Sequence, residues 1–305
     1  MIRFKKILFF ADSSPGENSA LNRALLLAEN NGASVTVMDV VAEIGTNDTD
    51  PGVKRAIKKI QDNLIRARKD VLDQMVKKAT KNLKRPIVRT VAIPGEDIAV
   101  INLVNEKKFD LIVKSANKKT ALGAIFGHID IRLMRKCPCP VWIIKPSRRR
   151  KFRSILAAVD PVPSQESSSL NKSILDIAGS LAEQEDAELH VLHAWELSSE
   201  SSIRGSLEKE RFKELERSIK EDSERKLEKL LDDFSHLKMQ DHLVKGKPDE
   251  VVNSFVKKHD IDLLVMGTVA RTGIPGFFIG NTAEKVLNSV DCSVLTLKPE
   301  GFTAS

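Results

Sequence analysis

The sequence predicts an α/β protein of two tandem domains, each a doubly wound, Rossmann-like five-stranded parallel sheet with helices on both faces. Three observations lead there. The chain repeats itself at an offset of about 150 residues, as a duplicated domain does. KKILFFAD at 5–12 returns as RSILAAVD at 153–160, FDLIVK at 109–114 as IDLLVM at 261–266, and CPVWIIKP at 139–146 as CSVLTLKP at 292–299. Within each copy, short apolar runs alternate with long amphipathic stretches, the pattern of strands joined by crossover helices. Runs such as LLVM at 263–266 show no polar alternation, which suits strands covered on both faces.

A length of 305 residues, about twice that of a common domain, allows a full core in each half. The domains are assigned to 1–150 and 151–305, joined near Ser147-Arg148-Arg149-Arg150-Lys151, a basic run read as a solvated linker. In the first copy, strands are expected at 5–11, 34–41, 87–92, 110–114 and 141–145, with helices at 18–31, 54–83, 96–107 and 127–135. The second copy gives strands at 154–159, 187–194, 240–244, 262–266 and 293–298, with helices at 168–184, 205–234, 248–258 and 281–289. Each first strand has a basic entry, an apolar body and a terminal aspartate, Asp12 or Asp160. Glu96-Asp97 and Asp249-Glu250 stand at helix starts, where carboxylates complement the dipole. Right-handed crossovers wind each copy. Ligands on such sheets lie beyond the carboxyl ends of the strands, so Asp160 and the post-strand Gly267 are expected at one crevice. The last strands, 141–144 and 294–297, are apolar edge segments that need a cover.

Composition narrows the partners. Three cysteines do not make a secreted disulfide framework, and Cys137 and Cys139 are too close together for a metal knuckle. The apolar run that follows the basic N-terminus stops at Asp12, too early for a signal peptide. Nothing approaches the ~20 apolar residues of a membrane span. A cytoplasmic protein with no membrane partner is expected. The net charge of +7 is unevenly spread: residues 1–151 hold 30 Lys/Arg and 15 Asp/Glu, the remainder 19 and 27. The basic half is either an anion-binding surface or a set of solvated helix faces. With 5% aromatics and no tyrosine, stacking platforms are scarce, and no direct nucleic-acid partner is expected.

Residues 267–287 read GTVARTGIPGFFIGNTAEKVL, a glycine-bearing passage from a strand into a helix. Two readings stand side by side. Bare backbone and the free N–H groups of the helix start attract phosphate, or the glycines serve tight packing and Asn281 or Thr282 caps the helix. The spacing Gly267, two residues, Ala270, nine residues, Gly280 resembles the nucleotide-binding signature of the universal stress protein family. Both copies together resemble its tandem, UspE-type branch over essentially the whole chain.

The resemblance implies that the second domain binds an adenine nucleotide, ATP with Mg2+, through Gly267, Ala270, Gly280, Asn281 and Thr282, with Asp160 near the ribose. Arg271 either forks onto a phosphate or lies exposed. Two positions depart from the family pattern: Ala270 replaces its second glycine, and Asn281 stands where a hydroxyl is expected. A methyl at Ala270 crowds the site if that position needs positive φ. The first copy departs further, with Ser115 and Lys118 in place of glycines, and with Gly127 followed by His128 and Asp130, whose carboxylate repels phosphate. No nucleotide is expected there. Ala116, Ala121, Leu122, Ile125 and Phe126 make that loop apolar, so its pocket either takes an apolar ligand or is filled. The family also implies a non-catalytic role in stress survival, including DNA damage, an unidentified protein partner, and pairing of the two last strands as an intramolecular pseudo-dimer, with a homodimer left open.

Other chemistry lacks its residues. His190 and His193 are an odd number of positions apart on one strand and face opposite sides, so they form no two-histidine metal site. No nucleophile elbow, Walker loop or His-Glu-x-x-His motif occurs. Two alternatives remain: a slow ATPase or phosphotransfer enzyme with Asp160 as its metal-binding carboxylate, and a ligand-free scaffold.

Overall fold

The computed structural model describes residues 4–14, 16–81, 83, 87–95, 98–116, 126–147, 149, 151–162, 165–197, 199–268 and 279–299. The chain forms two compact units, Arg3–Arg150 and Lys151–Thr303.

The first unit runs β1 (Lys6–Phe10), α1 (Glu17–Asn31), β2 (Ser34–Val41), α2 (Pro51–Ala79), β3 (Ile87–Pro94), α3 (Ile98–Lys107), β4 (Leu111–Ser115), α4 (His128–Lys136) and β5 (Val141–Ile144). Its parallel strands lie in the order β3-β2-β1-β4-β5. The second unit repeats this with β6 (Ser154–Ala158), α5 (Gln165–Glu185), β7 (Glu188–Trp195), α6 (Glu200–Ser206), α7 (Lys209–Leu231), β8 (Met239–Lys245), α8 (Pro248–Lys258), β9 (Leu263–Gly267), α9 (Asn281–Ser289) and β10 (Ser293–Leu297). Its order is β10-β9-β6-β7-β8, again parallel. In each unit the direction of winding reverses at the first strand, the place where such sheets take ligands beyond the carboxyl ends.

Local chemistry explains the boundaries. Asp50 caps α2, its Oδ1 accepting from the N–H groups of Gly52 (2.7 Å) and Val53 (3.0 Å), with Pro51 at the first helical position. Gly32 ends α1 in the left-handed region at φ 62°, where a side chain is strained. The aspartate before each fourth strand is structural. Asp110 accepts from the N–H groups of Lys5 (2.7 Å) and Lys6 (3.0 Å), and Asp262 accepts from that of Arg153 (2.7 Å). The unalternating runs form the cores: Ile7, Leu8 and Phe9 against Leu111, Ile112 and Val113, and their counterparts Ile155, Leu156, Leu263, Leu264 and Val265, are all fully buried.

The helix expected at 205–234 is found as α7, 209–231, but its expected start overlaps the end of a separate short helix, α6, at 200–206. The two are separated at Leu207, which is extended (φ −114°, ψ 148°) and follows the weak helix formers Gly205 and Ser206. The three cysteines are buried thiols, none of them in a disulfide. No helix among the described residues is long and apolar enough to cross a membrane.

Candidate functional site

In the second unit, β6 and β9 pair with Ala158 opposite Met266, so their carboxyl ends bring Asp160 and Gly267 to the same edge of the sheet. Helix α5 holds the Asp160 backbone. Asn171 Oδ1 accepts from its N–H at 3.0 Å, while Asn171 Nδ2 (2.7 Å) and Ser167 Oγ (2.8 Å) donate to its carbonyl. Gly267 closes β9, and a Cβ added there would lie 2.7 Å from Leu170 Cδ2. Its glycine therefore lets α5 pack close. Leu170 is half-buried and can give way, so Gly267→Ala is expected to cost only about 1 kcal/mol, read as a shift of the urea midpoint.

Helix α9 starts at Asn281 with Gly280 as its N-cap, at φ −61° and ψ 144°, a conformation open to any residue. The Gly280 N–H donates to Thr268 O at 2.9 Å, and the buried Thr268 donates its own N–H to Leu297 O at 3.0 Å. These bonds pin the helix start to the end of β9. The expected cap by Asn281 or Thr282 does not form. Both are exposed residues of the first turn, and Gly280 has no side chain with which to accept. Among the described residues, no acceptor meets the N–H groups of Asn281, Thr282 or Ala283. Ala270 and Arg271 lie outside the described residues.

The first unit treats the same place differently. Lys114, on β4, is fully buried, with its Nζ 2.8 Å from Asp12 Oδ2 and 2.8 Å from Asp130 Oδ1. It also donates to Ser115 O (2.8 Å) and Ser14 Oγ (3.3 Å). The Asp130 contact is a close charge pair, off the direction of a well-formed hydrogen bond at Oδ1. Asp130 Oδ2 accepts from the Gly127 N–H at 2.9 Å, so this carboxylate sits on the N-terminus of α4. Burial pushes the Asp130 carboxyl above its ordinary pKa, against the pull of Lys114 and the Gly127 hydrogen bond.

Around this triad, Arg68 of α2 pairs with Asp39 and donates to Ser13 Oγ (3.1 Å), while Ser13 N–H donates to Glu17 Oε1 (2.9 Å). Burial also raises Asp39 and Glu17. Among the described residues, the first crevice is thus lined by the protein's own charges. Of the apolar loop, Ala116 and Phe126 are buried, and Ala121, Leu122 and Ile125 fall outside the described residues, as does Lys118.

The duplication pairs Asp12 with Asp160, Lys114 with Met266, and Asp130 with Ala283. Two of these three charges of the first crevice are therefore missing from the second. Sequence reading passed over Lys114, although a single lysine ending the apolar run LIVK, opposite methionine in the repeat, marks it.

His190 does have an imidazole partner, but on the neighbouring strand: its Nδ1 lies 3.1 Å from His242 Nε2 on β8, whereas His193 Nδ1 lies 3.3 Å from Val159 O. His259, ending α8, adds a third ring 5.5 Å from His190 and 5.9 Å from His242, stacked on Phe255 at 4.0 Å. A cleft of about 460 Å³ opens beside His242, Lys245, Phe255 and His259. Among the described residues, no group of three or more His, Cys, Asp or Glu side chains is placed to hold a metal ion.

Residues 3–145 and 151–298 each match the universal stress protein family. Universal stress protein E of Escherichia coli K12 is 32% identical over 213 residues, 67% of this chain and 65% of that protein. Universal stress protein E of Photorhabdus laumondii is 29% identical over 211 residues, 67% of this chain and 66% of that one. The chain thus spans just under two thirds of the length of these relatives. Among solved structures, a functionally unknown protein of Pseudomonas aeruginosa PAO1 matches with a TM-score of 0.72 at 25% identity, over 98% of this chain and 94% of that one. A universal stress protein of Archaeoglobus fulgidus shares the fold, with a TM-score of 0.61 at 13% identity, over 97% and 98%. Matched in both of its units, the chain belongs to the universal stress protein family.

Proposed function

We propose that this chain is a non-catalytic stress-response protein of the cytoplasm, acting in survival of insults that include DNA damage. Its second unit binds an adenine nucleotide, and its first, closed to nucleotides, offers a surface to a protein partner or an apolar ligand. One observation carries the reading. Where Lys114 and Asp130 line the first crevice, the second has Met266 and Ala283, with Asp160 after β6 and, after the neighbouring β9, a helix start whose leading N–H groups have no described acceptor. Such a helix end attracts phosphate. A carboxylate at Asp160 suits a ribose hydroxyl or, with ATP, a Mg2+ ion. Gly267 takes part through its main chain, since α5 fills the space a side chain would use.

Isothermal titration of ATP with Mg2+ tests this. Wild type is expected to give a saturable heat that is lost in Gly280→Trp. It is also expected to be lost in Ala283→Asp, which restores to α9 the carboxylate found on α4, with circular dichroism confirming the fold. No heat in wild type overturns the nucleotide reading in favour of a ligand-free scaffold. Phosphate release above a heat-killed blank, lost in Asp160→Ala, would make the protein a slow ATPase instead.

A further inference from the structure

The duplication supplies an internal control for surfaces as well as for sites. Helices α2 and α7 occupy equivalent crossovers, from β2 to β3 and from β7 to β8. Their outward faces differ. On α7, eight basic residues are nearly balanced by seven acidic ones, with three ion pairs along the helix among the described residues, Arg217–Glu221 (2.7 Å), Lys226–Asp222 (2.5 Å) and Arg225–Asp222 (3.4 Å). None of its large apolar side chains is exposed.

On α2, nine basic residues meet three acidic ones. Lys54, Lys58, Lys59, Arg66, Lys77 and Lys78 have no ion pair among the described residues. Four large aliphatic side chains point to solvent: Val53 (37% exposed), Ile60 (51%), Leu64 (44%) and Val71 (50%). At about 100° per residue these four fall within an arc of roughly 40°, a single stripe along the helix. The stripe lies apart from the face that α2 packs inward, where Leu72 is fully buried.

We propose that α2 adsorbs this chain to anionic lipid bilayers, the stripe entering the headgroup boundary and the excess positive charge of the helix drawn to the negative surface. A basic amphipathic helix with exposed aliphatic residues has this chemistry. Three considerations separate a bilayer from other occupants. A second copy would set two strongly basic helices against each other. A partner helix on the stripe would touch mainly its immediate flanks, yet most of the unpaired cations lie further round the helix. The field of a charged plane reaches about a Debye length, ~8–10 Å, and engages those cations too. The lack of a spanning helix does not bear on adsorption. The proposal is independent of nucleotide binding.

The test is co-sedimentation of the full chain with vesicles of phosphatidylglycerol and phosphatidylethanolamine, against vesicles of phosphatidylcholine alone. Wild type is expected to bind the anionic vesicles at least tenfold more tightly, and to lose most of that binding in 0.5 M salt. Ile60→Gln with Leu64→Gln is expected to weaken binding about tenfold at unchanged net charge, and Lys58→Glu with Lys59→Glu by a similar factor. These positions are exposed, so circular dichroism is expected to be unchanged. Absence of vesicle binding, equal binding to neutral vesicles, or undiminished binding by the Ile60/Leu64 variant would overturn the proposal. So would a variant that changes only the oligomeric state in sedimentation velocity, which would make the stripe a contact between copies.

Discussion

Replacing Lys114 with methionine, the residue its own repeat carries at Met266, will destabilise the first unit by about 3–5 kcal/mol. The substitution is close to isosteric, so packing is largely kept and the effect is electrostatic. It leaves Asp12 and Asp130 facing one another without the ammonium that lies 2.8 Å from each. Asp130, fully buried and already raised in pKa by desolvation, then holds its proton or carries an uncompensated charge. The rescue is specific. Lys114→Met with Asp130→Ala writes the second unit's pattern into the first, and buried ion pairs replaced by apolar groups roughly break even. The double variant should regain all but about 1–2 kcal/mol, the remainder being the acceptor lost by the Gly127 N–H and the solvent-touched Asp12. The chain has two tryptophans, one in each unit. In a Trp195→Phe background, fluorescence of the buried Trp142 therefore follows urea unfolding of the first unit alone. A single-variant cost below 1 kcal/mol, or a double variant no more stable than the single, would show that the triad does not work as a unit.

That triad marks the limit of what the sequence discloses. The strand at 34–41 was legible to the residue, because a run buried within a parallel sheet has an unmistakable apolar pattern. The meeting of Asp160 with Gly267 was legible too, since winding order alone makes the first and fourth strands neighbours. Tight packing at Gly267 was one of two open readings, but its partner was not legible. That partner is Leu170, a residue of α5 that no local pattern connects with β9. Lys114 was hidden for a related reason: a lysine at a strand end reads as solvated, and only its position between two carboxylates from other elements shows it buried. The helix at 205–234 was legible in its body, α7, but its start was placed four residues early, in the end of α6 that Gly205 and Ser206 close. Periodicity reports which face is apolar and says little about where the backbone turns.

Acidification from pH 7.5 to 5.5 will loosen β7, β8 and α8 of the second unit without a matching loss in the first. Burial, then the neighbouring rings, hold His190 and His242 below the ordinary histidine value of 6.5. The unfolded chain therefore binds more protons than the folded one in the window below 6.5. Stability is full above that value, and it falls as pH drops through it until the folded-state values are passed. Linkage limits the slope to about 1.4 kcal/mol per pH unit for each histidine, and solvent screening makes the half-buried His242 contribute less. The facing charges do not reverse the sign. Glu188, 3.7 Å from His190, and Asp241 favour the protonated rings, but burial outweighs them, and Lys258 adds to the penalty. Lys245 and Glu250 on the cleft wall carry opposite charges. In the first unit the sign is opposite. Asp130, Asp39 and Glu17 are raised, so the folded state holds their protons more firmly, and acid below neutrality favours it. Exposed Asp73, lowered by Thr90 and Lys69, opposes this weakly because water screens it. Hydrogen exchange resolved by segment reads both slopes at once. Protection should fall in β7, β8 and α8 but not in β1 and β4, and His190→Phe, which keeps an aromatic ring against Phe255, should flatten the acid slope. Equal losses in both units, or a slope unchanged in His190→Phe, would show that the imidazole cluster is not what titrates.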